Sequence, residues 1–334
     1  MKFATLTAMV LAMGIAASAP VSAQTLAGEQ EADISAIDGV ISGDAEWELA
    51  WAGFMTADGM AGTPDGGLLF AQEQSNSIRK LGPDGQEYVY DAHVAGPGAV
   101  SMDAKGRVFT VERTCTDPGL HMESCNELTR VTQIRPEHRI LASSFADGRP
   151  FGRLNDVMAD GLGGAYFTVG GIYHAAADGT VSVVAEDDIR TNGLMLSPDG
   201  KTLYVTNGTK VEAFDVKKDG STSNRRTFAT LDHENGGFGG DGMAVDSEGR
   251  LYVTGGAGLY VFSPKGEELG VIPTKRHPIT VAFSGPDKKT LFIGTMGAVG
   301  PDGKPWETPK GVRNVAMTVY KVKTEATGYK GRPK

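Results

Sequence analysis

TPDGGLLF at 63–70, DAKGRVFT at 103–110, DGLGGAYF at 160–167, SPDGKTLY at 197–204, DSEGRLYV at 246–253 and GPDKKTLF at 285–292 are six versions of one phrase. Each opens with residues that suit a tight reversal. Each continues into a short run of β-branched and aromatic residues, which suits a strand. The turn positions are Gly66, Gly106, Gly163, Gly200, Gly249 and Lys288, spaced 40, 57, 37, 49 and 39 residues apart. A second strand pair follows in every unit: SIRKL at 77–81 runs into Pro83-Asp84-Gly85, and GLYVF at 258–262 runs into Pro264-Lys265-Gly266. Two hairpins per unit of this length, repeated six times, predict an all-β fold: a six-bladed β-propeller with a central channel. A sandwich or barrel has no need of the same two-hairpin unit six times. The strand at 47–54 precedes the first unit and is expected to pair with the last blade, which would close the ring and protect its edges.

Composition agrees. The chain has 334 residues, of which 46 are glycine, about twice the usual share, as a fold of many turns requires. Net charge is −9, so there is no broad basic footprint and no nucleic-acid partner is expected. Residues 1–23 read as a secretory signal: Lys2, an apolar run from Ala4 to Ala17, then Val21-Ser22-Ala23 before Gln24, with cleavage expected after Ala23. The apolar run is too short for a membrane span, so no membrane association is expected after cleavage. The mature protein is expected to be secreted or periplasmic, and a monomer or small homo-oligomer. Residues 24–45 read as a loose leader, 46–325 as one propeller and 326–334 as a tail. In an oxidising compartment, Cys115 and Cys125, ten residues apart, favour a loop-stapling disulfide over two free thiols.

Chemistry is read by counting back eight residues from each turn position. That register holds Asp58, Gly98, Asn155, Asn192, Asp241 and Thr280. Repeat equivalence puts all six where the chain enters the innermost strands, at one mouth of the channel. Two carboxylates and two amide oxygens converging on one axis call for a cation. Oxygen-only ligands favour one divalent metal ion, calcium first, with zinc, manganese or iron as alternatives. Taken singly, Asp and Asn here would be turn residues; four in one register is a site. Gly59, Gly193 and Gly242 follow three of the positions, as expected where backbone crowds an axis.

Arg153-Leu154-Asn155-Asp156, Thr191-Asn192-Gly193-Leu194 with Ser197-Pro198-Asp199-Gly200, and Asp241-Gly242-Met243-Ala244-Val245-Asp246 together resemble the senescence-marker-protein/gluconolactonase family over residues 50–322. The resemblance implies a six-bladed propeller with one divalent metal at the channel mouth and lactonase activity. It implies Asn192 and Asp241 as metal ligands, Asn155 as a ligand or substrate-contacting residue, and Arg153 as a contact to sugar-lactone hydroxyls. Two positions depart from the family pattern. Ala57-Asp58-Gly59-Met60 stands where Glu-Gly-Pro is usual, so Asp58 replaces a metal-binding glutamate and is one methylene shorter. Thr280-Val281-Ala282 stands where Asn-Val-Ala is common.

The expected function is hydrolysis of a small-molecule lactone to the hydroxy acid. The metal would polarise the carbonyl and Asp241 would activate water. Alternatives are a phosphotriesterase-like or aryl-ester hydrolase at the same metal, or a non-catalytic binding propeller. Gly-x-Ser-x-Gly and phosphate-loop motifs are absent. His121, between the cysteines, either assists proton transfer and substrate binding over the channel mouth or is a surface histidine. Glu112 and Arg113 either reach the pocket or lie in a solvated turn. His233 and Phe238 are candidates for the pocket rim, and His174 reads as a packing residue.

Overall fold

The computed structural model describes residues 28–53, 55–113, 129–232, 239–297, 307–308, 311–312 and 317–331. It contains six four-stranded antiparallel sheets, five of them built in chain order from the channel outward and the sixth completed by the first strand of the chain. Strand β1 (Glu48–Gly53) comes first. Blade 1 is β2 (Asp58–Gly62), β3 (Leu68–Gln72), β4 (Ser77–Leu81) and β5 (Glu87–Asp91). Blade 2 is β6 (Pro97–Met102), β7 (Val108–Glu112), β8 (Arg130–Arg135) and β9 (Arg139–Ala142). Blade 3 is β10 (Val157–Ala159), β11 (Ala165–Val169), β12 (Gly171–Ala175) and β13 (Val181–Ala185). Blade 4 is β14 (Thr191–Leu196), β15 (Thr202–Asn207), β16 (Lys210–Val216) and β17 (Thr222–Thr230). Blade 5 is β18 (Met243–Val245), β19 (Leu251–Gly255), β20 (Gly258–Phe262) and β21 (Glu268–Ile272). In blade 6, β22 (Pro278–Ser284) and β23 (Thr290–Met296) are followed by a small hairpin, β24 (Glu307–Thr308) and β25 (Gly311–Val312), and then by β26 (Met317–Lys323). β1 pairs antiparallel with β26 as the outermost strand of blade 6, so the two ends of the chain close the ring.

The inner strands are buried on both faces, and β6 is buried at every position. Outer strands are far more exposed, as in β5 and β13. Apolar side chains fill the layers between neighbouring blades. Phe109, Val131, Phe151 and Phe167 join blades 2 and 3, while Tyr166, Leu194, Leu203, Val253 and Tyr260 join blades 3, 4 and 5. Full burial of each such side chain is worth about 2–3 kcal/mol, so the ring is held by its inter-blade layers as well as by hydrogen bonds.

Every turn position found in the repeat has a left-handed backbone. φ is +88° at Gly66, +76° at Gly106, +118° at Gly163, +71° at Gly200, +83° at Gly249 and +59° at Lys288. Five glycines adopt this freely; Lys288 is strained by it. Lys288 is also buried, with Nζ 3.2 Å from Phe283 O. Burial, with a small contribution from Lys330, pushes its amine down to about 8. The folded state therefore holds fewer protons than the unfolded one between about 8 and 10.5. The burial penalty is full below that window and is relieved as pH rises through it. Lys288→Gly is expected to stabilise the fold by about 1 kcal/mol at pH 7 after loss of the Phe283 contact. The advantage should shrink towards pH 10. Urea titrations of both proteins at the two pH values check this; a wild type equal or superior at pH 7 refutes it.

Both chain ends depart from the sequence reading. Residues 28–45 are no loose leader. Ile34, Val40 and Ile41 are buried with Trp47 against Tyr252, Leu259 and Phe283 of blades 5 and 6. The Trp47 indole donates to Pro273 O at 2.8 Å, and Tyr320 Oη donates to Glu29 Oε1. The segment's acidic, alanine-rich composition hid three apolar anchors that follow no regular period. Nor are residues 326–331 a free tail. Ser247 N donates to Thr327 O at 2.8 Å, Gly328 N to Lys288 O at 2.8 Å and Tyr329 N to Val245 O at 3.2 Å. The signal segment lies outside the described residues.

Candidate metal and catalytic site at the channel mouth

The six register residues meet. Asp58, Gly98, Asn155, Asn192, Asp241 and Thr280 all line one cavity of about 10 Å³ on the channel axis. Only one water-sized occupant fits in such a volume. The residues stand at or near the start of the innermost strands, where the chain turns in from the outer edge of the preceding blade. Glycine lets the strands come this close. A Cβ on Gly59 would sit 2.2 Å from Ala99 Cα, one on Gly193 2.2 Å from Asp241 O, and one on Gly242 2.8 Å from Ile279 O. In each case the obstacle is the backbone of the next blade, so the side chains before these glycines are drawn to the axis.

Hydrogen bonds tie the ring together. Asn155 Nδ2 donates to Asn192 Oδ1 at 2.5 Å, and Asn192 in turn bonds Asp241. Asp58 Oδ1 accepts from Gly59 N at 2.8 Å. Asp156, beside Asn155, spends its carboxylate on the backbone N–H groups of Val157 and Leu194. It is a charge near the site rather than a free ligand.

Arg113 is the residue whose place the sequence left open. It is buried and stands among the ring residues, not in a solvated turn. Nε donates to Leu154 O at 2.7 Å and Nη2 to Asn155 Oδ1 at 2.7 Å, while Nη1 lies 3.1 Å from Glu73 Oε2 and 3.6 Å from Asp58 Oδ2. Guanidinium has only donors, so the Asn155 atom facing it is the oxygen. The neighbouring Glu112 is also buried but turns away, to Arg130 and the backbone of Ala95.

Glu73 was not singled out from the sequence. It lies in a single 3-10 turn, Glu73–Ser75, between β3 and β4, and is 1% exposed. Its carboxylate holds two arginines: Arg113, and Arg153 through Nη1 at 2.8 Å and Nη2 at 3.2 Å. Arg153 thus stands at the rim with 29% of its side chain exposed. Local sequence, Gln72-Glu73-Gln74-Ser75-Asn76, reads as an ordinary polar loop, and nothing in it signals a buried carboxylate.

The electrostatics are unbalanced. With every carboxylate ionised, Asp58, Glu73, Asp156 and Asp241 against Arg113 and Arg153 leave a formal excess of two negative charges in a buried site. Burial pushes the Asp241 carboxyl well above the usual carboxylate range, and Asp58 and Asp156 add to the effect against Arg113 and Asn192. Asp58 is raised too, chiefly by burial, with Arg113 opposing. A divalent cation would neutralise both charges, and the donors are hard oxygens. Among the described residues no three His, Cys, Asp or Glu side chains are grouped to hold a metal, so the amide oxygens are needed to complete a ligand set. Donor type, charge and cavity size all fit one divalent ion.

His174 is a packing residue: buried, with Nε2 2.9 Å from Asp160 Oδ2 and its ring 4.6 Å from that of Tyr166, away from the cavity. Cys115, His121, Cys125, His233 and Phe238 lie outside the described residues.

Comparison with known proteins agrees with this fold. The model of the SMP-30/gluconolactonase/LRE-like region matches residues 97–297. A gluconolactonase of Zymomonas mobilis is 23% identical over 302 residues, covering 78% of this chain and 79% of that protein. A regucalcin of Xenopus laevis is 29% identical over 284 residues, covering 77% and 91%. The solved structure of a gluconolactonase from Xanthomonas campestris has the same fold, with a TM-score of 0.66 at 22% identity, covering 91% of this chain and 99% of that one. By the match of its central blades, the chain belongs to the SMP-30/gluconolactonase/LRE-like family.

Proposed function

We propose that the protein is a divalent-cation-dependent lactonase that opens a sugar lactone or related cyclic ester to its hydroxy acid. The observation that carries this is the convergence of Asp58, Asn192 and Asp241 on an ion-sized, doubly negative cavity, in a family whose relatives include gluconolactonases. Those three side chains would hold the ion, calcium by the hardness of the donors. Asn155 is committed to Arg113 and Asn192, which favours a substrate-orienting role over direct ligation.

The bound ion would polarise the lactone carbonyl and stabilise the developing oxyanion. Asp241 accepts the proton of the attacking water at its carboxylate oxygen. Glu73 holds Arg153 by two of its donors, and the others face the ring hydroxyls of the substrate. The signal-like character of residues 1–23 supports export of the mature protein, and an oxidising compartment would favour a bridge between Cys115 and Cys125.

The test is a pH-stat assay of the mature protein on sugar lactones, aryl esters and phosphotriesters, with elemental analysis of bound metal. Exhaustive chelation should abolish lactone hydrolysis and calcium should restore it. Full activity without detectable metal would overturn the cation mechanism. Hydrolysis of aryl esters or phosphotriesters alone would replace the lactone assignment with the alternative hydrolase reading.

A further inference from the structure

Blade 2 breaks the ring. Its register residue is Gly98, which offers no side chain to the axis. The vacancy is filled from the adjacent strand. Arg113, the residue after β7, crosses over Gly98 so closely that a Cβ there would sit 2.1 Å from Arg113 Nε. Where other blades present oxygen or hydroxyl, this blade presents a guanidinium.

That guanidinium is not mobile. Leu154 O and the backbone and side-chain oxygens of Asn155 hold one edge, and Glu73 holds the other. Rigid placement of a delocalised charge is what arginine does and lysine does not. The charge lies 3.6 Å from an oxygen of Asp58, inside a site with little water to screen it. It lowers the cost of burying Asp58 and Asp241 when no ion is bound. By the same Coulomb interaction it repels an ion that enters.

We infer that Arg113 is a built-in counter-ion: it takes blade 2's place in the ring, sets the affinity for a divalent cation by weakening it, and withdraws Asn155 Oδ1 from the ligand set. The inference rests on the cation reading of the cavity. Its consequence is an exchangeable rather than permanently bound ion, because the empty site is already partly neutralised.

Calorimetric titration of the chelated mature protein with calcium tests this without reference to catalysis. Arg113→Gln removes the charge and is expected to bind calcium at least roughly tenfold more tightly than wild type. Arg113→Lys keeps the charge and should stay within about threefold of wild type. Gly98→Ala displaces the guanidinium from its groove and should reproduce the tighter binding with Arg113 present. It supplies the same readout should Arg113→Gln fail to fold. A folded Arg113→Gln, or in its absence a folded Gly98→Ala, with unchanged or weaker calcium affinity overturns the inference. Arg113→Lys behaving like Arg113→Gln would assign the effect to lost contacts and overturn the counter-ion role. A wild type that binds no divalent cation would overturn the cation reading, and this inference with it.

Discussion

Asp241→Asn is expected to lower kcat for lactone hydrolysis by about 10²–10⁴-fold while the protein still binds its cation. Asparagine keeps an oxygen at the same place in the ring, so the link to Asn192 and a ligand to the ion survive. Proton acceptance does not survive, because an amide oxygen is far too weak a base. The expected profile is a collapse of kcat with bound metal still detectable. Asp58→Ala should do the reverse. It removes a ligand and one of the two unbalanced negative charges, so calcium affinity falls first and activity returns in part at high calcium. A metal-loaded Asp241→Asn enzyme that turns over at the wild-type rate would remove Asp241 as the base and leave the cation site standing.

Gly193→Ala is expected to be severely damaging to both the fold and the site. The new Cβ would lie 2.2 Å from Asp241 O, 2.9 Å from Asp241 C and 3.0 Å from Gly242 Cα. All three are backbone atoms of the neighbouring blade, which cannot rotate away as a side chain would. Relief requires blades 4 and 5 to part where Asn192 and Asp241 meet. Overpacking costs of about 3 kcal/mol or more follow, with loss of cation binding in whatever remains folded. Urea denaturation and calcium calorimetry on the same preparation measure both effects. A variant with wild-type stability and calcium affinity would show that the inner strands are not packed at this limit. Gly85→Ala is the contrast: no atom lies within 4 Å of its Cβ, and only the left-handed backbone, φ +77°, resists the change. It should cost about 1 kcal/mol and leave calcium binding untouched.

The architecture was legible because a propeller is written one blade at a time. Turn chemistry, strand alternation and a spacing of some forty residues are local properties, and six repetitions leave few other folds. Symmetry then carried the reading to tertiary distance. Residues in the same register of equivalent units must reach the same axis, so Asp58, Asn155, Asn192 and Asp241 could be brought together by counting. Gly98 and Thr280 came with them, including the one position that carries no side chain.

What breaks the repeat was not legible. Glu73 sits in a polar pentapeptide, and Arg113 follows a strand in a blade whose register residue is glycine. Neither belongs to the register, and their meeting joins segments 40 residues apart in sequence. Ile34, Val40 and Ile41 of the leader likewise gain meaning only from the gap they fill between blades 5 and 6. The sequence by itself determined the number of blades, the way the ring closes and which register residues reach the axis, because each follows from a local rule repeated around an axis. Only the tertiary structure decided which of those oxygens is tied to Arg113, how Glu73 clamps two arginines and where the chain ends dock. Those contacts depend on the unequal packing of neighbouring blades, and no periodic pattern encodes it.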